Sequence, residues 1–526
     1  MTRTPLPYAT PALVVIAAAA LLAPLSLKRA AAQDEVATPP TREELQAQYE
    51  EAVANGREEY AAGEYEAAIE SFDLAVRLTG GNNATSLYLR AQALIGAEEY
   101  AVALEDLKAV LTIGQATPGL PARAQNLQAE AYLELGAVDR ALKAATQAVK
   151  ADRNVPEFQL NYGRALVSSG DAGGGEKALT KYIEADEQDP LAYRFRALAY
   201  TGLGKYPRAL LDIDQAIELD PEDYENYFTK GQIYLQEKDY EPAAAAIKQA
   251  IDAYEPEDPD LPMPYVQAHL TRASVLEEIG KEKESDGDTE AAKAAYEEEK
   301  QECERLLDEL PDNPAVATSK ASALFRLGVA ERLLGNLAPS IKAFTEAIDI
   351  NPGLGEAYFR RGICFFYLGE PGLALGDFRQ GAAINWDSPR SNLWKGRCQA
   401  ELGDYREAVK DFSSAIAVSD RYTIAYVHRG LTYLQLGEHD RALADFNAAI
   451  RLEVTVGRHY YHQGLAYKLK GDRKRAVNSF VNAIKFAPEM LEAYEAAATI
   501  FDQAGRPELA DAYRQAAAAQ QQPSAS

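Results

Sequence analysis

The sequence predicts an all-α solenoid of about 13 stacked helix-turn-helix repeats. The first observation is a period of 34 residues that links four phenylalanines, Phe378, Phe412, Phe446 and Phe480. Glycines recur at the same interval, at Gly362, Gly396, Gly430 and Gly464. An alanine precedes each phenylalanine by four residues and so shares a helical face with it, at Ala374, Ala408, Ala442 and Ala476. One repeat is therefore two helices: the first carries the glycine, where two backbones can approach closely, and the second carries the alanine and phenylalanine.

These units resemble the tetratricopeptide repeat, whose pattern is a glycine, a tyrosine three residues later, a turn glycine, then alanine, phenylalanine or tyrosine, alanine and a closing proline. One unit matches throughout, with Gly464, Tyr467, Gly471, Ala476, Phe480, Ala483 and Pro488. The small residue of the first helix can be followed through 13 units, at Gly56, Ala91, Ala129, Gly163, Ala197, Gly231, Ala273, Gly328, Gly362, Gly396, Gly430, Gly464 and Ala498. The resemblance covers roughly residues 49 to 516. It implies a right-handed superhelix whose concave surface binds a protein or peptide.

The N-terminal residues read as an export signal. Arg3 is followed by an apolar run over residues 11–27 and by the small-residue site Ala30 to Ala32. Residues 1–32 are therefore predicted to be a signal peptide of bacterial type and residues 33–48 a leader. The predicted location is periplasmic or extracellular. The alternative is that residues 11–27 stay as a membrane anchor, although 17 residues are few for a span.

The repeats are predicted to form two arrays. An N-terminal array covers residues 49–252, with a few extra residues around 117–121 and a triple glycine at 173–175 that shortens a helix or forms a flexible loop. A junction over residues 253–313 contains four prolines between 255 and 264 and an acidic segment whose last part, from 291 to 310, reads as a long, mostly solvated helix. A C-terminal array over 314–519 and a polar tail over 520–526 follow.

Composition excludes several functions. A net charge of −26 and a pI near 4.8 argue against nucleic acid, and against anionic lipid apart from the N-terminal segment. No hydrolase, zinc-protease or phosphate-loop motif is present, so we expect no enzyme and no cofactor. His428 and His462 occupy equivalent positions in adjacent repeats, but matching carboxylates are missing and no metal site is predicted. The three cysteines form no disulfide framework and are expected to be buried small residues.

The candidate binding residues lie on the face of the first helices that the resemblance assigns to the concave surface. They are the residues three before and one after the small residue in five C-terminal repeats, and they make a mostly apolar wall: Phe325, Val329, Phe359, Ile363, Leu393, Arg397, Val427, Leu431, Tyr461 and Leu465. Some members of the family grip a chaperone's C-terminal carboxylate with a clamp that needs an asparagine directly after the small residue. This chain has no asparagine there in any repeat.

A second candidate site is the basic patch of the twelfth repeat, formed by Lys468, Lys470, Arg473, Lys474 and Arg475. Its partner is either an anionic molecule (an acidic protein segment, phospholipid head groups or a polyanionic glycan) or the acidic middle of this chain or of another copy. The sequence thus predicts a non-enzymatic scaffold of the cell envelope or periplasm that binds a protein or peptide. The alternative is a scaffold subunit of a polysaccharide or outer-envelope assembly complex.

Overall fold

The computed structural model describes residues 41–113, 117–254, 263–311, 313–386 and 388–520. The predicted signal peptide, the first half of the predicted leader and nearly all of the predicted tail lie outside these residues. The chain divides into two compact units between Thr117 and Pro118, within the irregular stretch of the sequence. The predicted array boundaries near 252 and 314 stay predictions. Every described element is helical, and none of the described helices is long and apolar enough to cross a membrane.

The first unit contains two helix pairs. Helix α1 begins after Thr41, whose hydroxyl accepts a hydrogen bond from the Glu44 amide while the Glu44 carboxylate accepts one from the Thr41 amide. This capping box satisfies two amides that the first turn leaves without helical partners. The four helices are α1 (Arg42–Ala61), α2 (Tyr65–Leu78), α3 (Ala84–Gly96) and α4 (Tyr100–Thr112).

The second unit continues as eleven helix pairs. Its first six helices are α5 (Leu120–Glu134), α6 (Val138–Ala151), α7 (Pro156–Ser168), α8 (Ala172–Ile183), α9 (Pro190–Gly202) and α10 (Tyr206–Leu219). Next come α11 (Tyr224–Glu237), α12 (Tyr240–Ala253), α13 (Met263–Ser285), α14 (Thr289–Glu309), α15 (Ala317–Leu333) and α16 (Leu337–Ile350). The last ten are α17 (Gly355–Tyr367), α18 (Pro371–Gly381), α19 (Pro389–Glu401), α20 (Tyr405–Val418), α21 (Thr423–Gln435), α22 (His439–Leu452), α23 (Gly457–Leu469), α24 (Arg473–Phe486), α25 (Leu491–Gln503) and α26 (Pro507–Gln520).

The 26 α-helices among the described residues form 13 pairs, and each odd-numbered helix carries one of the 13 predicted small residues. This confirms the all-α solenoid of helix-turn-helix repeats. The small residue makes room for the phenylalanine ring of its own repeat: a Cβ built on Gly430 would lie 2.7 Å from the fully buried Phe446 ring, and one on Gly464 would lie 2.5 Å from the Phe480 ring. The close approach at the small residue is thus mainly between the glycine backbone and the phenylalanine ring, rather than between two backbones.

The seventh repeat is enlarged because both of its helices are longer than those of its neighbours. Helix α13 has 23 residues and α14 has 21, and the Asp288 side chain caps α14 by accepting from the Ala291 amide. One face of α14 is buried against its neighbours, including Tyr296, Cys303 and Leu306. The long helix is therefore confirmed, but the expectation that it is mostly solvated is wrong, since its apolar side chains face α13 and α15.

The triple glycine does not form a loop. Helix α8 begins at Ala172 and contains all three glycines, with the Asp171 side chain accepting from the Gly174 amide. Gly175 stands where other repeats have alanine, and a Cβ there would lie 2.5 Å from a Val167 methyl carbon. The glycines do not shorten the start of the helix either, because α8 begins nine residues after its small residue, as α20 does; both predicted alternatives are wrong.

A ladder of polar contacts joins neighbouring repeats of the second unit. Arg429, directly before the small residue of α21, donates to both carboxylate oxygens of Asp445 at 2.8 and 2.7 Å and to the Ser413 hydroxyl of the preceding repeat at 2.9 Å. The Arg429 and Asp445 side chains are only 18% and 7% exposed. The same contact joins Arg361 with Asp377 and Thr345, and Arg196 with Asp212 and Thr180.

The twelfth repeat has an uncharged version of this contact. Gln463 replaces the arginine, accepts from the Ser479 hydroxyl at 2.7 Å and donates to Asn447 at 2.7 Å. These three residues lie 34 positions after Arg429, Asp445 and Ser413. The same solenoid position is therefore stabilised by an ion pair in one repeat and by neutral hydrogen bonds in the next.

Candidate partner-binding surface

The first helices line the inner side of the second unit. Contacts between alternate helices join α13 with α15, α15 with α17, α17 with α19, α19 with α21 and α21 with α23, all of them first helices. Helices that approach one another across a repeat lie on the inside of a curved stack. The residues of the predicted wall belong to these helices from α15 to α23.

None of the ten wall residues is exposed. Four are in the core, with exposed fractions of 0 to 6%: Val329, Phe359, Ile363 and Leu393. The other six are half-buried: Phe325, Arg397, Val427, Leu431, Tyr461 and Leu465. The predicted binding wall is therefore covered at the four core positions.

The physical reason is packing both within a repeat and against the next one. Phe359 packs with the Phe378 ring of its own repeat, with ring centroids 5.4 Å apart, and Val329 packs against Phe344 and Cys364. A side chain can point toward the inner side and still be covered when the next repeat lies against it. Whether the six half-buried residues bind a partner stays a prediction.

The inner side opens at the seventh and eighth repeats. A pocket of about 380 Å³ lies between α13 and α15 and reaches the start of α17. Phe325 lines it together with Leu270 and Leu354, and polar side chains complete the rim: Gln267, Thr271, Ser274, Ser322 and Arg326. An apolar floor with a few polar groups around it is typical of a site that binds a side chain of a partner.

Arginines lie over the aromatic rings of this side. The Arg360 guanidinium lies 5.5 Å from the centroid of the Phe325 ring, and Arg390 lies 5.3 Å from that of Phe359. Arg397 lies 4.1 Å from the Trp394 ring centroid. Such cation–π contacts hold a guanidinium over a ring while its N–H groups stay available to other acceptors.

A buried acidic pair lies next to the pocket. Glu277 accepts from Arg326 at 2.7 Å and pairs with Lys281 at 2.8 Å. Glu299 of α14 is fully buried, and neither of its carboxylate oxygens has a hydrogen-bond partner among the described residues. Burial, and after it the nearby Glu277 carboxylate, raise the pKa of Glu299 to about 8, so Glu299 is mostly neutral at pH 7.

The basic patch is largely exposed, but part of its charge is neutralised. Lys468 is half-buried, and the other four residues are exposed. Lys470 pairs with Asp440, and Arg475 lies 3.5 Å from Asp472. Arg473 and Lys474 form no ion pair with any described residue. They line a pocket of about 270 Å³ together with Arg506 and the apolar side chains of Val477, Ile500 and Phe501.

The histidines and cysteines lie in the packing. His428 stacks on Phe412 and His462 on Phe446, with ring centroids 5.8 and 5.7 Å apart. Burial lowers the pKa of both histidines to about 4, so both are neutral at pH 7. The three cysteines are free and buried. Across the described ranges, no cluster of three or more ligating side chains is arranged to hold a metal ion.

Tetratricopeptide repeat profiles match residues 53–121, 126–190, 196–260 and 395–452 in one form and 321–354 and 458–490 in another. Together these matches cover more than half of the sequence. The chain belongs to the tetratricopeptide repeat family. Tetratricopeptide repeats bind proteins or peptides.

The curated relatives match short stretches of this tetratricopeptide repeat protein. Hsp70-Hsp90 organizing protein 2 of Arabidopsis thaliana is 28% identical over 132 residues, which are 25% of this chain and 23% of that protein. A Protein SGT1 homolog of Oryza sativa subsp. japonica is 38% identical over 69 residues, 13% of this chain and 19% of that protein. The chain thus spans less than a quarter of the length of these two relatives.

Solved structures similar to this chain include MamA, which is 25% identical with a TM-score of 0.30; the match covers 32% of this chain and 97% of MamA. YrrB, a TPR protein with an unusual peptide-binding site, is 18% identical with a TM-score of 0.32 and covers 35% of this chain and 95% of its own. Naa15/Naa10 bound to HypK is 13% identical with a TM-score of 0.39 and covers 91% of this chain and 94% of the matched chain.

Two features of this tetratricopeptide repeat protein were missed by the sequence reasoning. The ladder has a readable signal, because a cation directly before the small residue is followed 16 positions later by an aspartate, as in Arg361 with Asp377 and Arg429 with Asp445. The arginines over the inner aromatic rings have no such signal. Arg360 and Arg390 occupy different positions in their repeats, and only the stacking brings them together.

Proposed function

We propose that this protein is a non-enzymatic scaffold that binds a protein or peptide through the inner side of its repeats. The observation that carries the proposal is the pocket at Phe325, where an apolar floor and a polar rim open on the inner side between α13 and α15. Phe325 keeps part of its surface accessible, whereas Phe359 one repeat later is covered. A partner side chain that enters the pocket would cover the exposed part of the Phe325 ring, and buried aromatic contacts of this kind dominate binding energies.

The setting is part of the same proposal. The apolar run over residues 11–27 and the alanines before Gln33 support export to the periplasm or cell envelope. The chaperone-tail clamp lacks its asparagine in every repeat, which favours a different partner despite the likeness to Hsp70-Hsp90 organizing proteins.

Site-specific photo-crosslinking tests this function. A photoreactive residue at the exposed Gln267, on the rim of the pocket, should give an adduct with one partner when the full chain is irradiated in an envelope extract. The matched control places the same group at Ser414, which is exposed on the second helix of the tenth repeat. Phe325→Ala should remove the Gln267 adduct while circular dichroism stays unchanged. Equal adducts from both positions, or an adduct that survives Phe325→Ala, would contradict binding at the pocket.

A further inference from the structure

Four arginines of three successive first helices form a group on the inner side, which we call the arginine cluster: Arg332 of α15, Arg360 of α17, and Arg390 and Arg397 of α19. Arg332 lies seven residues after Phe325 and therefore on the same face of α15 as the pocket residue. Arg390 and Arg397 are likewise seven residues apart on α19. The cluster thus extends the pocket along the inner side toward the tenth repeat.

The cluster has few counter-charges. Arg360 pairs with Glu356 of its own helix at 2.7 Å. Arg332, Arg390 and Arg397 have no carboxylate partner within the described part of the chain. Glu277 of the neighbouring repeat acts electrostatically on Arg332, but it is already bound to Arg326 and Lys281. This is unusual in a protein with a net charge of −26.

Arg332 is the arginine of the cluster whose surroundings most disfavour its positive charge. Its Nε is buried without a hydrogen-bond partner among the described residues. Burial lowers the pKa of the Arg332 guanidinium, and repulsion from Arg360 and Arg390 lowers it further. A partly buried cation that faces two like charges costs free energy unless an anion compensates it.

We propose that the arginine cluster binds an acidic protein segment, with carboxylates of the partner lying against Arg332, Arg390 and Arg397. This inference rests on the proposed function and names the chemistry of the partner. Guanidiniums bind carboxylates in two-pronged hydrogen bonds. Each of Arg390 and Arg397 lies over an aromatic ring. The Arg390 side chain is exposed and that of Arg397 is half-buried, so their N–H groups are accessible to such a partner.

The spacing favours a chain over a small anion. Neighbouring helix axes in a stack lie about 8 to 10 Å apart, so three helices can offer separate arginine partners to several carboxylates of one chain. An extended segment advances about 10 Å in three residues. Carboxylates on every second or third residue therefore match the spacing of the cluster.

The test is a binding titration of the full chain with two fluorescein-labelled peptides, one alternating glutamate with serine and the other alternating glutamine with serine. We expect the glutamate peptide to bind and the glutamine peptide to bind at least about tenfold more weakly. Arg332→Gln and Arg390→Gln should each weaken binding of the glutamate peptide about tenfold. Arg406→Gln is the matched control, because Arg406 is exposed on the second helix α20 and its replacement removes the same charge.

Equal affinity for the two peptides at low ionic strength would overturn the inference, as would wild-type binding by both cluster variants or an equal loss in Arg406→Gln. Because Arg390 is exposed, Arg390→Gln decides the question if Arg332→Gln lowers stability. Complete displacement of the peptide by inorganic phosphate at constant ionic strength would indicate a small-anion site and would also overturn it. Each of these failures leaves the crosslink at Gln267, which reports on the proposed function, unaffected.

Discussion

Replacing the charged ladder of the eleventh repeat with the neutral ladder of the twelfth tests what holds neighbouring repeats together. Arg429→Gln removes the two-pronged ion pair and leaves the Asp445 carboxylate, 7% exposed, without its cation. Breaking a buried pair typically costs about 3 to 5 kcal/mol, and the partial exposure of Arg429 reduces the expectation to about 2 to 3 kcal/mol. The triple variant Ser413→Asn, Arg429→Gln, Asp445→Ser recreates the contact of Gln463 with Asn447 and Ser479. It should lose less than about 1 kcal/mol, because every polar group again has a partner.

Amide hydrogen exchange is the appropriate assay, since a long repeat array opens locally and need not unfold in one step. In Arg429→Gln the protected amides of α21 and α22 should exchange about 30-fold faster or more, the equivalent of about 2 kcal/mol. In the triple variant their protection should stay within about fivefold of wild type. Equal loss of protection in the single and triple variants would refute this reasoning. The loss would then not depend on the unpaired Asp445 carboxylate, which only the single variant retains.

Three further predictions concern single sites. Stability should fall as pH rises from 4.5 toward 8, because in that window the unfolded chain releases the Glu299 proton and the folded chain retains it. In urea unfolding, Glu299→Gln should show a weaker pH dependence than the wild type and should be the more stable of the two at pH 7. Gly430→Ala should lower the melting temperature by an amount that corresponds to about 1 to 3 kcal/mol of stability, because the new Cβ would lie 2.7 Å from a phenylalanine ring. Gly376→Ala, where an added Cβ meets no atom, should raise the melting temperature slightly. Equal effects of the two substitutions would rule out the steric reason. Arg473→Glu should weaken binding of an acidic ligand to the basic patch in low salt and have little effect in high salt, and a salt-independent result would show that this patch is only solvated surface.

Much of the fold could be predicted from the sequence, because in a stacked array the residues that pack each repeat recur at a fixed interval. The 34-residue spacing of Gly430 and Gly464 gave the helix pairs, and the missing register before Gly328 marked the enlarged repeat. The helix through residues 173–175 was not predicted, because glycine lowers helix propensity, whereas the packing of Val167 against Gly175 leaves no room for a larger residue there.

The candidate site was predicted only in part. The period assigned Phe325 and Phe359 to equivalent positions, yet the first lines a pocket and the second is 2% exposed. Equivalence in sequence sets the direction of a side chain, but its accessibility depends on how closely the next repeat approaches. The enlarged seventh repeat changes that approach and opens the inner side at Phe325.

The sequence by itself determined the all-α repeat architecture, the number of repeats and the residues that fill each repeat, because these depend on contacts within one unit and between sequence neighbours. Only the tertiary structure decided which inner side chains are covered, where the pocket opens, and that Arg332, Arg360 and Arg390 approach one another. These features depend on contacts among three consecutive repeats, in which residues about 30 or 60 positions apart meet through stacking. Electrostatic free energy depends on such distances and on burial, and neither is written in the spacing of charges along the chain.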